Sequence, residues 1–213
     1  MIQIARAFET VLNKQYPCPR GVMGRIAGEL MVRQHERETA WTVSIADVQP
    51  TDRVLEVGFG AGKAIELFAQ KTTHGAVAGV DLSATMVKRA RKRNAQAVRA
   101  GRVTLQQGEA AQLPFEKHHF DKVVSIHTFY FWSDPLTVLT ESFRVLKPGG
   151  KLVFTLATGK TEETRETGLE QVIAEQVLPQ MRNIGFTEVS TRHGPLSRQF
   201  KILAVVGAKP SDS

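Results

Sequence analysis

The chain has 213 residues, 42% of them hydrophobic and 23% charged, with a formal net charge of +7. These are the proportions of an ordinary globular chain, and the length suits one large α/β domain better than two small ones. No apolar run approaches the ~20 residues of a membrane span, the N-terminus lacks the apolar stretch of a secretory signal, and the single cysteine, Cys18, excludes an internal disulfide. A cytoplasmic location is therefore expected.

The first 48 residues read as helical, with Ile26, Leu30, Met31 and Val32 near helical spacing and Tyr16 to Gly21 as a proline–glycine interruption. From Asp52 the pattern changes. Arg53 to Val57 is a short β-rich run that ends in glycines, and Ala61 to Lys71 reads as a helix. Ala76 to Asp81 is a second strand, and Ser83 is placed to cap a helix running to about Ala100. Val103 to Gln107 and Phe120 to Ile126 are the third and fourth strands. Asp134-Pro135 opens another helix, as cap and first helical residue, and Lys147-Pro148-Gly149-Gly150 stops it. Lys151 to Thr158 is a fifth strand, Glu162 to Met181 a helix, and Thr187 to Arg192 and Phe200 to Ala208 the last two strands. Strand and helix alternating at short intervals predict a parallel sheet with helices on both faces, of the doubly wound class. In such sheets ligands bind beyond the carboxyl ends of the strands.

The run after the first strand is Glu56-Val57-Gly58-Phe59-Gly60-Ala61-Gly62. Glycines let the backbone turn sharply and let a ligand approach it. In a dinucleotide-binding loop counted from Gly58 the third glycine would fall at Lys63, and a phosphate loop would need Ser or Thr where Ala64 stands. Glu56 also disfavours a pyrophosphate, whereas a ligand with ammonium and sulfonium centres suits it. Asp81, at the end of the second strand, can accept hydrogen bonds from two ribose hydroxyls. Nicotinamide enzymes share that device, and the same carboxylate can cap the next helix.

Taken in order, Val54 to Gly62, Gly79-Val80-Asp81-Leu82-Ser83, Gly108-Glu109-Ala110 with Leu113-Pro114-Phe115, Phe120-Asp121 and Arg144 to Gly150 resemble the class I S-adenosylmethionine-dependent methyltransferases. The chain is similar to the branch that contains the ubiquinone- and menaquinone-biosynthesis enzymes. The resemblance runs from about Asp52 to Ala208. It implies a Rossmann-like seven-stranded sheet with the last strand antiparallel, and S-adenosyl-L-methionine as cofactor. Glu56, Gly58, Gly60 and Gly62 would lie at its methionine part, Asp81 at the ribose, and Leu82, Glu109 and Ala110 at the adenine. The family more often has aspartate where Glu109 stands. The expected organisation is one methyltransferase domain, with residues 1–48 a helical lid and 52–208 the cofactor-binding core.

By the strand-end rule the loop His127 to Trp132 faces the methyl group. His127 is the general-base candidate, since imidazole titrates near neutrality, or else it positions a ligand by hydrogen bonding. Tyr130 and Trp132 line an acceptor pocket or belong to the core, and Tyr16, Arg20 and His35 are lid residues able to reach the acceptor. No spacing of His, Cys or carboxylates marks a metal site. The basic run Lys88, Arg89, Arg91, Lys92 and Arg93, continued by Arg99 and Arg102, is a solvated helix face or an anion-binding patch. A nucleic-acid methyltransferase is disfavoured: Ser125-Ile126-His127-Thr128 stands where amino-methylating enzymes carry Asn/Asp-Pro-Pro-aromatic, and no cysteine is near. The expected partner is a small-molecule substrate, in a homodimeric enzyme. A macromolecular acceptor or a non-catalytic cofactor-binding protein are the alternatives.

Overall fold

The computed structural model describes residues 35–160, 168–197 and 199–211. The elements in chain order are α1 (Glu36–Ile45), β1 (Arg53–Val57), α2 (Lys63–Lys71), β2 (Ala76–Asp81), α3 (Ala84–Arg93), α4 (Ala95–Arg99), β3 (Val103–Gln107), β4 (Phe120–Ile126), α5 (Pro135–Val145), β5 (Leu146–Lys160), α6 (Gly168–Val172), α7 (Leu178–Ile184), β6 (Thr187–His193) and β7 (Phe200–Ala208). They build one seven-stranded sheet of order β3-β2-β1-β4-β5-β7-β6. β1 to β5 pair in parallel, whereas β7 runs antiparallel to both β5 and β6. The expected doubly wound sheet with its last strand reversed is thus the observed one.

The central strands are apolar on both sides because helices cover both faces. On one face Val54, Val77 and Val124 pack against Val43 and Ala46, Ile65 and Phe68 of α2, and Val87 and Ala90 of α3. On the other, Leu55, Val80 and Val123 pack against Leu139 of α5 and against Ile173, Val177 and Met181. Gly79 is needed at the centre of β2, since a Cβ there would lie 2.6 Å from the Phe59 ring and 2.8 Å from Leu105.

The expected caps form. Ser83 Oγ accepts from the Met86 N–H at the start of α3, and Asp134 Oδ1 accepts from the Leu136 N–H ahead of Pro135. Each such cap contributes about 1 kcal/mol. Three expectations need correction. The helix after Ser83 does not run unbroken to Ala100 but divides at Asn94, whose buried amide donates to the carbonyls of Gly62 (3.1 Å) and Ala90 (3.0 Å). β5 begins at Leu146 rather than Lys151, because Leu146 already pairs with Phe120 ahead of the proline–glycine turn. The helix through Met181 carries a π turn over Ile173–Val177, just before Pro179, which has no N–H to donate.

The motifs at Leu113-Pro114-Phe115 and Arg144 brace one another. Arg144 pairs with both oxygens of Glu141, at 2.7 and 2.9 Å, and donates to the carbonyls of Phe115 and Leu113, while Glu141 accepts from the Leu113 N–H. Asp121 ties the Lys147 ammonium to the start of β1 by accepting from the Arg53 N–H. Among the described residues no helix is long and apolar enough to cross a membrane.

Candidate active site

At the carboxyl ends of β1, β2 and β4 a cleft of about 420 Å³ opens. Its floor is the glycine loop. Gly58, Gly60 and Gly62 all have positive φ (75°, 51° and 77°), a conformation that L side chains rarely adopt. A Cβ at Gly58 would sit 2.2 Å from the Thr128 methyl, whereas a Cβ at Gly60 would meet nothing within 4 Å and would project into open space. Gly58 is thus required by protein packing, and Gly60 leaves room that a ligand can take.

Two carboxylates flank this loop. Asp81 accepts the Gly60 N–H on one oxygen and the Ser83 N–H on the other, both at 2.8 Å. Burial raises its pKa, and these two donors oppose the rise. Glu56 is 2% exposed, and its Oε2 has no hydrogen-bond partner among the described residues. Burial pushes the Glu56 carboxyl well above the usual carboxylate range, the charge of Asp81 pushes it further, and the Ile65 N–H only partly offsets this. A buried carboxyl with an unsatisfied oxygen is costly in isolation and calls for a cationic or hydrogen-bonding ligand. Leu82 presents an apolar side chain, 51% exposed, on the cleft rim. Glu109 and Ala110 line the same end, with the Gly108 N–H bonded to the Asp81 carbonyl.

The other end of the cleft is formed by the segment after β4 and by α1. His127 adopts a positive φ of 56°, and its N–H donates to the Thr155 carbonyl at 2.8 Å. Its Nε2 lies 3.4 Å from Oε1 of Glu38, a residue of α1 that is 1% exposed. The same oxygen accepts from His35 Nδ1 at 2.6 Å and from Ser197 Oγ at 2.7 Å. Burial by itself would raise the Glu38 pKa, but hydrogen bonds from His127, His35 and Ser197 hold it well below the usual range, so it is ionised at neutral pH. α1 is fixed in place by Thr42, whose hydroxyl reaches Thr155 Oγ1 at 3.0 Å, and by Lys151, whose ammonium donates to the Ile45 carbonyl.

Residues Phe129–Phe131 form a single 3₁₀ turn rather than an open loop. Trp132 lines the cleft with its ring against Phe129 and Phe154, and its indole N–H is buried with no hydrogen-bond partner among the described residues. Tyr130 does not line the cleft: its hydroxyl is bound to the Ala157 backbone of β5, and burial raises its pKa to about 12. Phe131 lines the cleft where Tyr130 was expected. Tyr16 and Arg20 lie outside the described residues. His35, expected in a lid, stands on the cleft wall beside Thr39. Glu38 was not expected at all; its i, i+3 spacing from His35 was the available signal.

Residues 55–154 match the model of a methyltransferase domain. The uncharacterized methyltransferase YdaC of Bacillus subtilis is 27% identical over 183 residues, covering 84% of this chain and 96% of that protein. The demethylmenaquinone methyltransferase of Bacillus cereus is 37% identical over 122 residues, 55% of this chain and 51% of that enzyme. Residues 55–154 thus carry a methyltransferase domain, and the chain is similar to the class I S-adenosylmethionine-dependent methyltransferases. A solved SAM-dependent methyltransferase from Aquifex aeolicus superposes on the enzyme with a TM-score of 0.66 at 22% identity, over 83% of this chain and 92% of that one, and shares its fold.

S-adenosylmethionine is the cofactor of the methyltransferase. The site fits it: Gly60 leaves a cradle that a Cβ would fill, and Glu56 offers an unpaired buried oxygen. When bound, the cofactor supplies a methyl group already activated on a sulfonium sulfur.

Proposed function

We propose that the methyltransferase methylates a small-molecule acceptor held in the His127 end of the cleft. The carrying observation is the His127 end of the cleft, which adjoins the glycine loop and is walled by Trp132, Phe131 and α1. The demethylmenaquinone methyltransferases among its relatives are named for a small acceptor, which supports the same class. Glu56, Gly58, Gly60 and Gly62 hold the methionine part of the cofactor, Asp81 the ribose, and Leu82, Glu109 and Ala110 the adenine. Of the expected lid segment, the described part from His35 onward walls the acceptor end through His35 and Thr39, and its residues 1–34 lie outside the described residues. The whole chain acts as one methyltransferase domain.

His127, with Glu38 and His35, acts on the acceptor. Because the donor is activated, the protein's task is to align the nucleophile, exclude water and accept a proton where the acceptor carries one. The basic run argues little for nucleic acid. Arg91 donates to the Leu105 carbonyl at 2.6 and 3.2 Å, and Arg102 donates to the Ala69 carbonyl at 2.8 Å, so both guanidinium groups brace the fold.

Radiolabelled S-adenosylmethionine incubated with the enzyme and a bacterial extract tests this. Label is expected in the low-molecular-weight fraction. Label confined to RNA or protein would overturn the small-molecule assignment.

A further inference from the structure

The sequence shows no metal-ligand spacing, but the fold makes one. His35 and Glu38 stand one turn apart at the start of α1, and His127 follows β4. One ligand atom from each lies within 4.8 Å of the others. Glu38 Oε1 is 2.6 Å from His35 Nδ1 and 3.4 Å from His127 Nε2, and the two imidazole centroids are 4.4 Å apart. Ligand atoms each ~2.1 Å from one ion are roughly 3.0–3.4 Å from one another. The His127 spacing already matches, and the His35 spacing needs to open by less than ~1 Å, within reach of a side-chain rotation.

The second observation is the other oxygen of Glu38. Oε2 is buried, in a side chain only 1% exposed, and has no hydrogen-bond partner among the described residues. Ser197 holds Oε1 in place at 2.7 Å, as outer partners commonly do for a ligating carboxylate. A buried carboxylate between two imidazoles, with one oxygen unsatisfied, is a donor set for a borderline divalent ion rather than for Mg²⁺ or Ca²⁺.

We propose that His35, Glu38 and His127 form a binding site for one divalent first-row transition-metal ion at the acceptor end of the cleft. Both histidines line the cleft, so the remaining coordination positions face it. Thr128 packs on Gly58, which sets the acceptor end next to the glycine loop. An ion there orients an oxygen or nitrogen of the acceptor and favours loss of its proton. His127 is then a ligand, and the acceptor's proton leaves to solvent. This inference rests on the acceptor end proposed above, but its test does not.

The test uses the full chain, freed of tag and stripped with chelator. Zn²⁺ is titrated by calorimetry and Co²⁺ by visible absorption, alongside S-adenosylhomocysteine binding as a separate measure of the cofactor site. One equivalent of Zn²⁺ per chain at micromolar affinity is expected, with cobalt bands typical of nitrogen and oxygen ligation. Glu38→Gln and His127→Ala should each weaken ion binding by ~100-fold or more, with S-adenosylhomocysteine affinity changed less than ~3-fold. His35→Ala, at the partly exposed helix start, gives the same reading should a buried substitution unfold the chain. Absence of stoichiometric binding, or binding that survives these substitutions, overturns the metal site. Loss of S-adenosylhomocysteine binding by the unaltered enzyme would instead count against the cofactor assignment.

Discussion

Gly58 and Gly60 occupy one loop, and alanine at each should fail in a different way. Both have positive φ, so each substitution carries a left-handed backbone penalty of about 1–2 kcal/mol. At Gly58 the new Cβ also lies 2.2 Å from the Thr128 methyl. Thr128 cannot simply turn away, because its hydroxyl is bonded to Ser125, which in turn donates to the Val57 carbonyl. Overpacking of this kind adds about 1–3 kcal/mol, giving about 2–5 kcal/mol in all. At Gly60 the Cβ meets nothing, and only the backbone penalty applies. For a chain of this size each kcal/mol lowers Tm by roughly 2–4 °C. Gly58→Ala should therefore melt roughly 4–20 °C below the unaltered enzyme, and Gly60→Ala roughly 2–8 °C below it. Binding should rank the other way. The space at Gly60 is what the cofactor fills, so its methyl should weaken S-adenosylhomocysteine by roughly 10–100-fold in calorimetry. Near-normal affinity of Gly60→Ala would refute the claim that the loop is the cofactor's floor. Equal melting temperatures for the two variants would refute the packing argument.

Further outcomes follow from the carboxylates and from Asn94. Asp81→Ala removes the acceptor for the Gly60 and Ser83 N–H groups as well as the proposed ribose partner, and should weaken S-adenosylhomocysteine at least ~100-fold; unchanged affinity would sink the ribose role. Glu56 has a folded-state pKa above its ordinary value near 4.5, so its contribution to stability is complete below that value and is lost as pH rises through the raised one. Glu56→Gln should accordingly stabilise the cofactor-free enzyme at neutral pH by about 1–3 kcal/mol in urea unfolding, while weakening S-adenosylhomocysteine. In the unaltered enzyme, affinity should rise with pH across the same window as the ammonium group favours ionised Glu56; a flat profile would exclude that contact. Asn94→Ala leaves the Gly62 carbonyl without its amide donor and should cost about 1–3 kcal/mol, with a loss under ~0.5 kcal/mol contradicting the role given to the helix break.

The strands were legible because each is a short, β-branched or apolar run closed by a glycine or a polar turn. The doubly wound class followed from the strand–helix alternation and the right-handed crossover rule, and the reversed last strand from the family resemblance. The break at Asn94 was not legible, since it depends on an amide reaching Gly62 across the α2–α3 contact. The π turn over Ile173–Val177 was not legible either, since Pro179 marks a missing N–H but not how the helix ahead of it adjusts. The cofactor residues could be read because they are contiguous motifs at strand ends. The acceptor end could not, because His127 after β4 and the His35–Glu38 pair of α1 come from separate segments and meet only when α1 docks on β5 through Thr42 and Lys151. Tyr130 was drawn toward the cleft by its neighbours in sequence, yet the 3₁₀ turn sends its hydroxyl to the β5 backbone.

Calorimetric titration of the unaltered chain with S-adenosylmethionine, S-adenosylhomocysteine and NAD tests the account most directly. The glycine loop, Glu56 and Asp81 predict one site with micromolar affinity for the first two and no binding of NAD. Binding of NAD, or no binding of either adenosyl compound, would contradict the assignment of the cleft.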